Sequence, residues 1–326
     1  CTGSLINNTR QDSTPYFLTA NHCGPNASAA DYSQWMFYFN YEAQGCSNPI
    51  TDPSSQTIIG STLIAKGFDN PSIGSDFKLL LLDQYIPESY NPFFNGWNTS
   101  NTPSAAGVGI HHPRGDIKKI STYNESLISS QYNSSGQDPD AMFWRVIWDE
   151  TESGHGVTEG GSSGSPIFDQ QHHITGTLTG GAASCQNPDA PDYYGKFSYH
   201  WKSNGNTALF QLKPWLDPDN TGKTSMEGFG YGSILSASFS ADPVAISVGE
   251  TVTFLDYSSG KPSLWEWYFE ELCVSRVYTT NVLVSTQIED MRYNPIGSPR
   301  ASSPEVQVWT STTEAERYPI STTEGF

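Results

Sequence analysis

Gly160-Gly161-Ser162-Ser163-Gly164-Ser165-Pro166 is the stretch on which the reading of this sequence turns. Three glycines and three serines crowd into it, and the apolar pair Ile167-Phe168 follows at once. Glycine lets the backbone turn tightly and leaves amide N–H groups uncovered. A serine on such a turn can present its hydroxyl to a substrate, with bare amides beside it to hold a developing oxyanion. By composition alone, a Gly/Ser-rich surface loop is the better reading.

Two further stretches separate these readings. Thr19-Ala20-Asn21-His22-Cys23 lies upstream, and Ser75-Asp76-Phe77-Lys78-Leu79-Leu80-Leu81-Leu82 lies between it and the serine loop. His, then Asp, then Ser is the chain order of the chymotrypsin-type triad. With these motifs in place the sequence resembles the secreted bacterial serine proteases of the trypsin fold, and among them the lysyl endopeptidases. Gly161-Ser162-Ser163-Gly164-Ser165-Pro166 matches that family's Gly-x-Ser-Gly-x-Pro. Cys1-Thr2-Gly3-Ser4-Leu5-Ile6-Asn7, Pro15 to Ala20, His111-His112-Pro113 to Ser121, Gly156-Val157-Thr158-Glu159 and Trp215-Leu216-Asp217-Pro218 are similar to its flanks, so the resemblance runs from residue 1 to about residue 222.

The resemblance implies a role for each residue. Ser163 would be the nucleophile and His22 its general base. Asp76 would hold the imidazole tautomer, and the N–H groups of Gly161 and Ser163 would form the oxyanion hole. Asp69 and Asp83 lie near Asp76, but only Asp76 precedes the apolar run as the family pattern requires. Strand Ile174 to Gly181 would edge the cleft, with Thr179, Gly180 and Gly181 pairing to substrate backbone. Asp192-Tyr193-Tyr194-Gly195 is similar to the family's Asp-x-Tyr-Gly, whose aspartate receives a substrate lysine; Asp189 is a nearby alternative. Thr179 stands where the best-known members carry histidine, which leaves lysine-over-arginine preference open. Ser162 stands where trypsin has an aspartate that pairs with a freed amine, so activation through such an ion pair is not expected. Cys1 would pair with Cys23. Partners of Cys46 and Cys185 would lie in a leading segment that this sequence does not include, and both are expected to stay unpaired.

Composition bounds the rest. The 326 residues allow one large domain or two ordinary ones. A net charge of −18 argues against nucleic acid and anionic membranes, and no apolar run is long enough to span a bilayer. Five cysteines without metal-type spacing suit an oxidising compartment. A lipid-modified Cys1 competes with the disulfide reading. His111-His112 and His172-His173 could suggest a metal, but neighbours on a strand face opposite sides, so structural roles are expected. No metal or cofactor is required by the implied chemistry.

The fold class expected is all-β. Short β-branched and aromatic runs broken by Gly, Pro and Asn would build two antiparallel barrels, over about 1–95 and 106–205. Residues 96–105 would be a polar connector, and 207–216 a C-terminal helix that Pro214 shortens or bends. The protease-like part is expected over 1–232. Residues 233–271 resemble the start of a PKD-type β-sandwich module. Residues 272–326 read as a divergent half-module, a disordered tail without a packed core, or a frame-shifted segment. The activity implied is endoproteolysis after lysine, by a secreted monomer acting on polypeptides. The alternatives are a trypsin-like protease of other specificity, and an inactive protease-like binding protein.

Overall fold

The structure is a computed structural model. It describes residues 1–45, 47–152 and 154–230, and in residues 231–326 only the backbone of five short strands. The chain divides into two units, Cys1–Gly230 and Tyr231–Phe326.

In the first unit, an opening group of strands carries the histidine and its aspartate. They are β1 (Ser4–Leu5), β2 (Tyr16–Ala20), β3 (Met36–Phe39), β4 (Gln56–Ile59), β5 (Ser61–Lys66) and β6 (Phe77–Leu82). Four form an antiparallel sheet in the order β1-β2-β6-β5, with Ser4 opposite Leu18 and Ala20 opposite Phe77. β6 is an almost unbroken apolar run because both of its faces are covered. Among the described residues, β3 and β4 pair only with each other. Gly60 takes a positive φ of 91° between β4 and β5, and its N–H donates to Trp35 O, which turns this hairpin off the sheet.

The remaining strands are β7 (Phe93–Phe94), β8 (Trp97–Asn98), β9 (Gly107–His111), β10 (Lys119–Tyr123), β11 (Ile128–Ser130), β12 (Phe143–Val146), β13 (Glu150–Thr151), β14 (Gly154–His155), β15 (Pro166–Phe168), β16 (Ile174–Gly181), β17 (Asp192–Lys196), β18 (Ser225–Met226) and β19 (Phe229–Gly230). Seven run in the order β10-β9-β15-β16-β17-β12-β11, and β8 and β18 join beside β16. The all-β class and the two sheet systems match expectation. Closed barrels do not: among the described residues neither ladder closes on itself, because β3–β4 leave the first sheet and β10 and β11 end the second without pairing.

Two local expectations are corrected. Trp97–Asn98, read as connector, form β8; Trp97 is fully buried and its Nε1 donates to Asn7 O at 2.8 Å. The helix expected over 207–216 is divided into a 3₁₀ turn, Ala208–Phe210, and a short helix, Lys213–Leu216, with Pro214 in its first turn, where its missing N–H costs nothing. A helix the sequence did not announce, Phe197–Lys202, follows β17 directly. It supplies Phe197 and Trp201 to a core shared by both sheets, with Leu18, Phe77 and Leu79 from the first and Phe168 and Ile174 from the second.

In the second unit Phe239–Asp242 and Thr251–Asp256 pair antiparallel. Glu305–Gln307 pairs with Thr251–Thr253, and Tyr318–Pro319 pairs with Ala245–Ile246. Residues 257–271 of the expected PKD-like start, and the packing expected or denied for 272–326, lie outside the described residues.

Candidate active site

His22 sits just past the end of β2, and Asp76 just before β6, so antiparallel pairing of these strands brings the two residues together. His22 Nδ1 is 2.6 Å from Asp76 Oδ2, and the His22 main-chain N–H donates to Asp76 Oδ1 at 2.9 Å. Asp76 is wholly buried, while a third of the His22 side chain is exposed, at 33%. Asp76 adopts a positive φ of 62°, a conformation costly for a residue with a Cβ and tolerated best by Asn and Asp. Its surroundings hold it there. Its N–H donates to Phe68 O and its carbonyl accepts from Asn21 N–H. The preceding Ser75 is gripped by Asn204, which accepts from Ser75 N–H and donates to Ser75 Oγ, and by the buried ring of His200 at 2.7 Å. Asp69 and Asp83 are exposed and make no contact of this kind with His22.

Two supports fix the turn after His22. Cys1 and Cys23 are disulfide-bonded. Lys78 reaches from β6 to the carbonyls of Cys23 and Gly24, at 3.3 and 2.9 Å. The same ammonium lies over the rings of Tyr32 and Trp35, and burial pushes its pKa down to about 8. Cys185 is free and exposed, and Cys46 lies outside the described residues.

Ser163 is brought to this point by main-chain contacts. Thr2 N–H donates to Ser163 O, and Thr2 Oγ1 donates to Gly161 O while accepting from His112 N–H. Gly164 lies so close to β2 that a methyl group there would stand 2.2 Å from Thr19 Oγ1 and 2.5 Å from Ala20 N. The Ser163 hydroxyl itself makes no hydrogen bond to His22. Unliganded sites often leave this contact to tighten when substrate binds.

The N–H groups around Ser163 divide in two. Those of Ser162, Gly164 and Ser165 donate to Glu159 O, Leu178 O and Ser162 O. Those of Gly161 and Ser163 find no acceptor among the described residues. Their directions are set from behind. A trans peptide points its N–H opposite to its C=O. Gly160 O accepts from Arg114 N–H and Ser162 O accepts from Ser165 N–H, so the Gly161 and Ser163 N–H groups point away from those partners. Gly161 holds a positive φ of 102° to allow this.

Asp192 begins β17 and is wholly buried, whereas Asp189 is 90% exposed, near His155. Asp192 Oδ2 accepts from Trp148 Nε1 at 2.8 Å and from Thr158 Oγ1 at 2.7 Å. Burial pushes its carboxyl above the usual range, with these donors pulling the other way. No cation pairs with it among the described residues. Gly181 lies against it; a methyl there would meet Asp192 Oδ1 at 2.2 Å. Thr179 sits in the β-bulge between Leu178 and Gly180, and its Oγ1 is buried without a partner among the described residues.

Residues 1–195, more than half of the chain, match the model described as "Lysyl endopeptidase, C-terminal domain". The chain belongs to the lysyl endopeptidase family. The lysyl endopeptidase of Pseudomonas aeruginosa is 32% identical over 208 residues, which are 61% of this chain and 41% of that protein. The chain thus matches less than half the length of that curated relative. Among solved structures, the HtrA-type protease AlgW with decapeptide is 10% identical, covering 74% of this chain and 54% of that one at a TM-score of 0.40. An inactive form of Rv3671c from M. tuberculosis is 14% identical, covering 60% and 74% at a TM-score of 0.33.

Sequence reasoning left several residues of this family domain unmarked. Thr2 as clasp of the serine loop, Lys78 as support of the His22 turn, and Trp148 and Thr158 as holders of Asp192 act through long-range contacts that no local motif encodes. The signal for Lys78 was visible as a lone charge inside Phe77 to Leu82, where it had to find buried acceptors.

Proposed function

We propose that this chain is a serine endopeptidase that cleaves polypeptides on the carboxyl side of lysine through an acyl-enzyme. The observation that carries the reading is the 2.6 Å contact between His22 Nδ1 and Asp76 Oδ2, beside a serine loop with two undonated N–H groups. Asp76 accepts a hydrogen bond from His22 Nδ1–H, which holds the ring in the tautomer whose Nε2 lone pair is the base. Ser163 Oγ attacks the scissile carbonyl and passes its proton to Nε2, and the oxyanion takes the N–H groups of Gly161 and Ser163. His22 then protonates the leaving amine, and water repeats the sequence to free the acid. The carboxylate of Asp192, buried without a cation, supports selection of a cationic side chain in the adjoining pocket. Thr179, Gly180 and Gly181 end β16, where extended substrate would pair.

The Cys1–Cys23 disulfide supports an oxidising, extracellular setting. The antiparallel pairing of Phe239–Asp242 with Thr251–Asp256 is consistent with a PKD-like start at 233–271.

Labelling by a fluorophosphonate, together with turnover of matched lysyl and arginyl peptides, tests this reading. Labelling lost in Ser163→Ala and faster turnover of the lysyl peptide are expected. An unlabelled, inactive chain would favour a binding protein. Equal turnover of both peptides would remove the lysine preference.

A further inference from the structure

Ser162 carries no charge, yet it is wholly buried directly before the proposed nucleophile. The group that holds it is His111, at the end of β9. His111 Nδ1 is 2.7 Å from Ser162 Oγ, and His111 Nε2 is 3.2 Å from Ser121 Oγ on β10. The three residues are buried, at 1%, 0% and 1% exposure. The outer ends of the chain of contacts are main-chain groups of the serine loop itself. Glu159 N–H donates to Ser162 Oγ at 3.1 Å, and Ser121 Oγ donates to Val157 O at 3.1 Å.

Those ends fix every proton between them. An N–H can only donate and a carbonyl can only accept. Ser121 spends its proton on Val157 O, so it accepts from His111 Nε2–H. The Nδ1 lone pair is then free to accept from Ser162 Oγ–H, and Ser162 Oγ accepts from Glu159 N–H. Five groups form one ordered path, Glu159 to Ser162 to His111 to Ser121 to Val157, with each hydroxyl used once each way. The path begins and ends on the loop and crosses two strands of the sheet, so it ties the loop's backbone to β9 and β10.

We propose that neutral His111, protonated on Nε2, is the positioning residue of the oxyanion-hole loop, doing with a ring and two hydroxyls what a buried ion pair could do. The inference rests on the reading of Gly161 and Ser163 as the oxyanion hole. Ser162 lies between those two residues, and its carbonyl, by accepting from Ser165 N–H, sets the direction of the Ser163 N–H. Fixing the Ser162 side chain fixes that peptide plane. Burial and the neighbouring His112 hold the His111 pKa down to about 4, in keeping with a ring that stays neutral. A second proton would turn Nδ1 from acceptor to donor against a hydroxyl that already accepts from Glu159.

The test is steady-state hydrolysis of a lysyl peptide amide by the full chain. His111→Leu keeps an apolar side chain and removes both ring nitrogens. It should lower kcat by about 10- to 100-fold, since misplaced oxyanion donors act in the transition state, while KM stays within about threefold. His111→Gln can accept from Ser162 and donate to Ser121, and should recover most of the loss. Should His111→Leu not fold, Ser162→Ala carries the test: it should lower kcat similarly, and adding it to His111→Gln should cost no more than Ser162→Ala alone. A normal kcat in Ser162→Ala, a loss confined to KM, or a His111→Gln as impaired as Ser162→Ala would each overturn the proposal. Ser163→Ala run in parallel separates the two readings. Hydrolysis surviving that change overturns both, whereas an inactive Ser163→Ala beside an unimpaired Ser162→Ala overturns the role of His111 alone.

Discussion

Asp76 and Asp192 are both wholly buried carboxylates, and the two halves of the protease-like unit treat them in opposite ways. Asp76, in the half that carries His22, has an imidazole at 2.6 Å and a main-chain donor at 2.9 Å. Asp192, in the half that carries Ser163, meets only neutral donors among the described residues: the Trp148 indole, the Thr158 hydroxyl and, at longer range, the Ala183 N–H. A buried carboxylate is costly unless paired. The first is finished within the chain. The second has no cation among the described residues, as the pocket proposed for a charged side chain would require. The proposed site and the proposed socket thus differ in what the chain withholds from each.

The sharpest break of this comparison is at the finished end. Ser163→Ala or His22→Ala should each lower peptide hydrolysis by several orders of magnitude while circular dichroism stays native, because neither side chain carries the core. Near-normal turnover in Ser163→Ala would leave the contact between His22 and Asp76 without the chemistry assigned to it. At the unfinished end Asp192→Asn keeps the shape and removes the charge. Hydrolysis after lysine should fall by about 100-fold or more, since breaking a buried charge pair costs about 3–5 kcal/mol. An activated ester without a cationic side chain should lose far less. Equal losses on both substrates would give Asp192 a structural role instead.

How much of this was legible in the sequence follows the same division. The order His22, Asp76, Ser163 could be read because each sits in a local motif. So could the buried strand that follows Asp76. The supports could not be read. Ser75 meets Asn204 and His200 across more than a hundred residues, and His111 meets Ser162 across fifty-one. His111 was visible only as half of a His-His pair, and strand alternation said merely that its face differs from that of His112. The structure sends His111 inward to Ser162 and His112 against the ring of Tyr41. The helix Phe197–Lys202 escaped because its six residues are too few to show a period and begin directly at a strand end.

The next effect is on stability, in the His22 half. Cys1–Cys23 closes a loop of 22 residues next to the histidine. Replacing both cysteines by serine should cost about 3 kcal/mol, read as a lower urea midpoint at unchanged slope. An unchanged midpoint would mean that Lys78 and the Thr2 clasp suffice to hold the turn.

Acid should then act through both halves. Burial holds His200 down to about 3, and burial with the neighbouring His112 holds His111 down to about 4, against an ordinary 6.5. His200 bridges Ser75 of the first half and Thr177 of the second, while His111 serves the serine loop with His112 beside it and Lys119 across the ladder. For each ring the folded pKa lies below the unfolded one. The folded state therefore binds fewer protons, and stability present above 6.5 is lost as pH falls through 4 and on toward 3. The slope is about 1.4 kcal/mol per pH unit for each histidine within its window. Urea midpoints measured from pH 7 to pH 4 should fall accordingly, and His111→Gln should make the decline shallower. A profile flat over that range would show that neither ring is held neutral.

The smallest effect has the opposite sign, and it decides whether Asp192 is a socket. Its carboxyl is raised by burial, only partly offset by Thr158, Trp148 and the more distant Ala183 N–H. The folded state therefore binds the proton more tightly than the unfolded chain does. Stability is greatest below the unfolded carboxylate value and declines as pH rises through the raised one, so at neutral pH the ionised Asp192 is a net cost to the fold. Asp192→Asn removes that cost and keeps an oxygen to accept from Trp148 and Thr158. The variant should melt above the parent at pH 7, and the gap should narrow as pH falls toward 4. A variant that loses lysine-directed hydrolysis and gains stability would mark a carboxylate held charged for its ligand. A variant that loses both would mark one held for the fold, and the contrast with Asp76 would close.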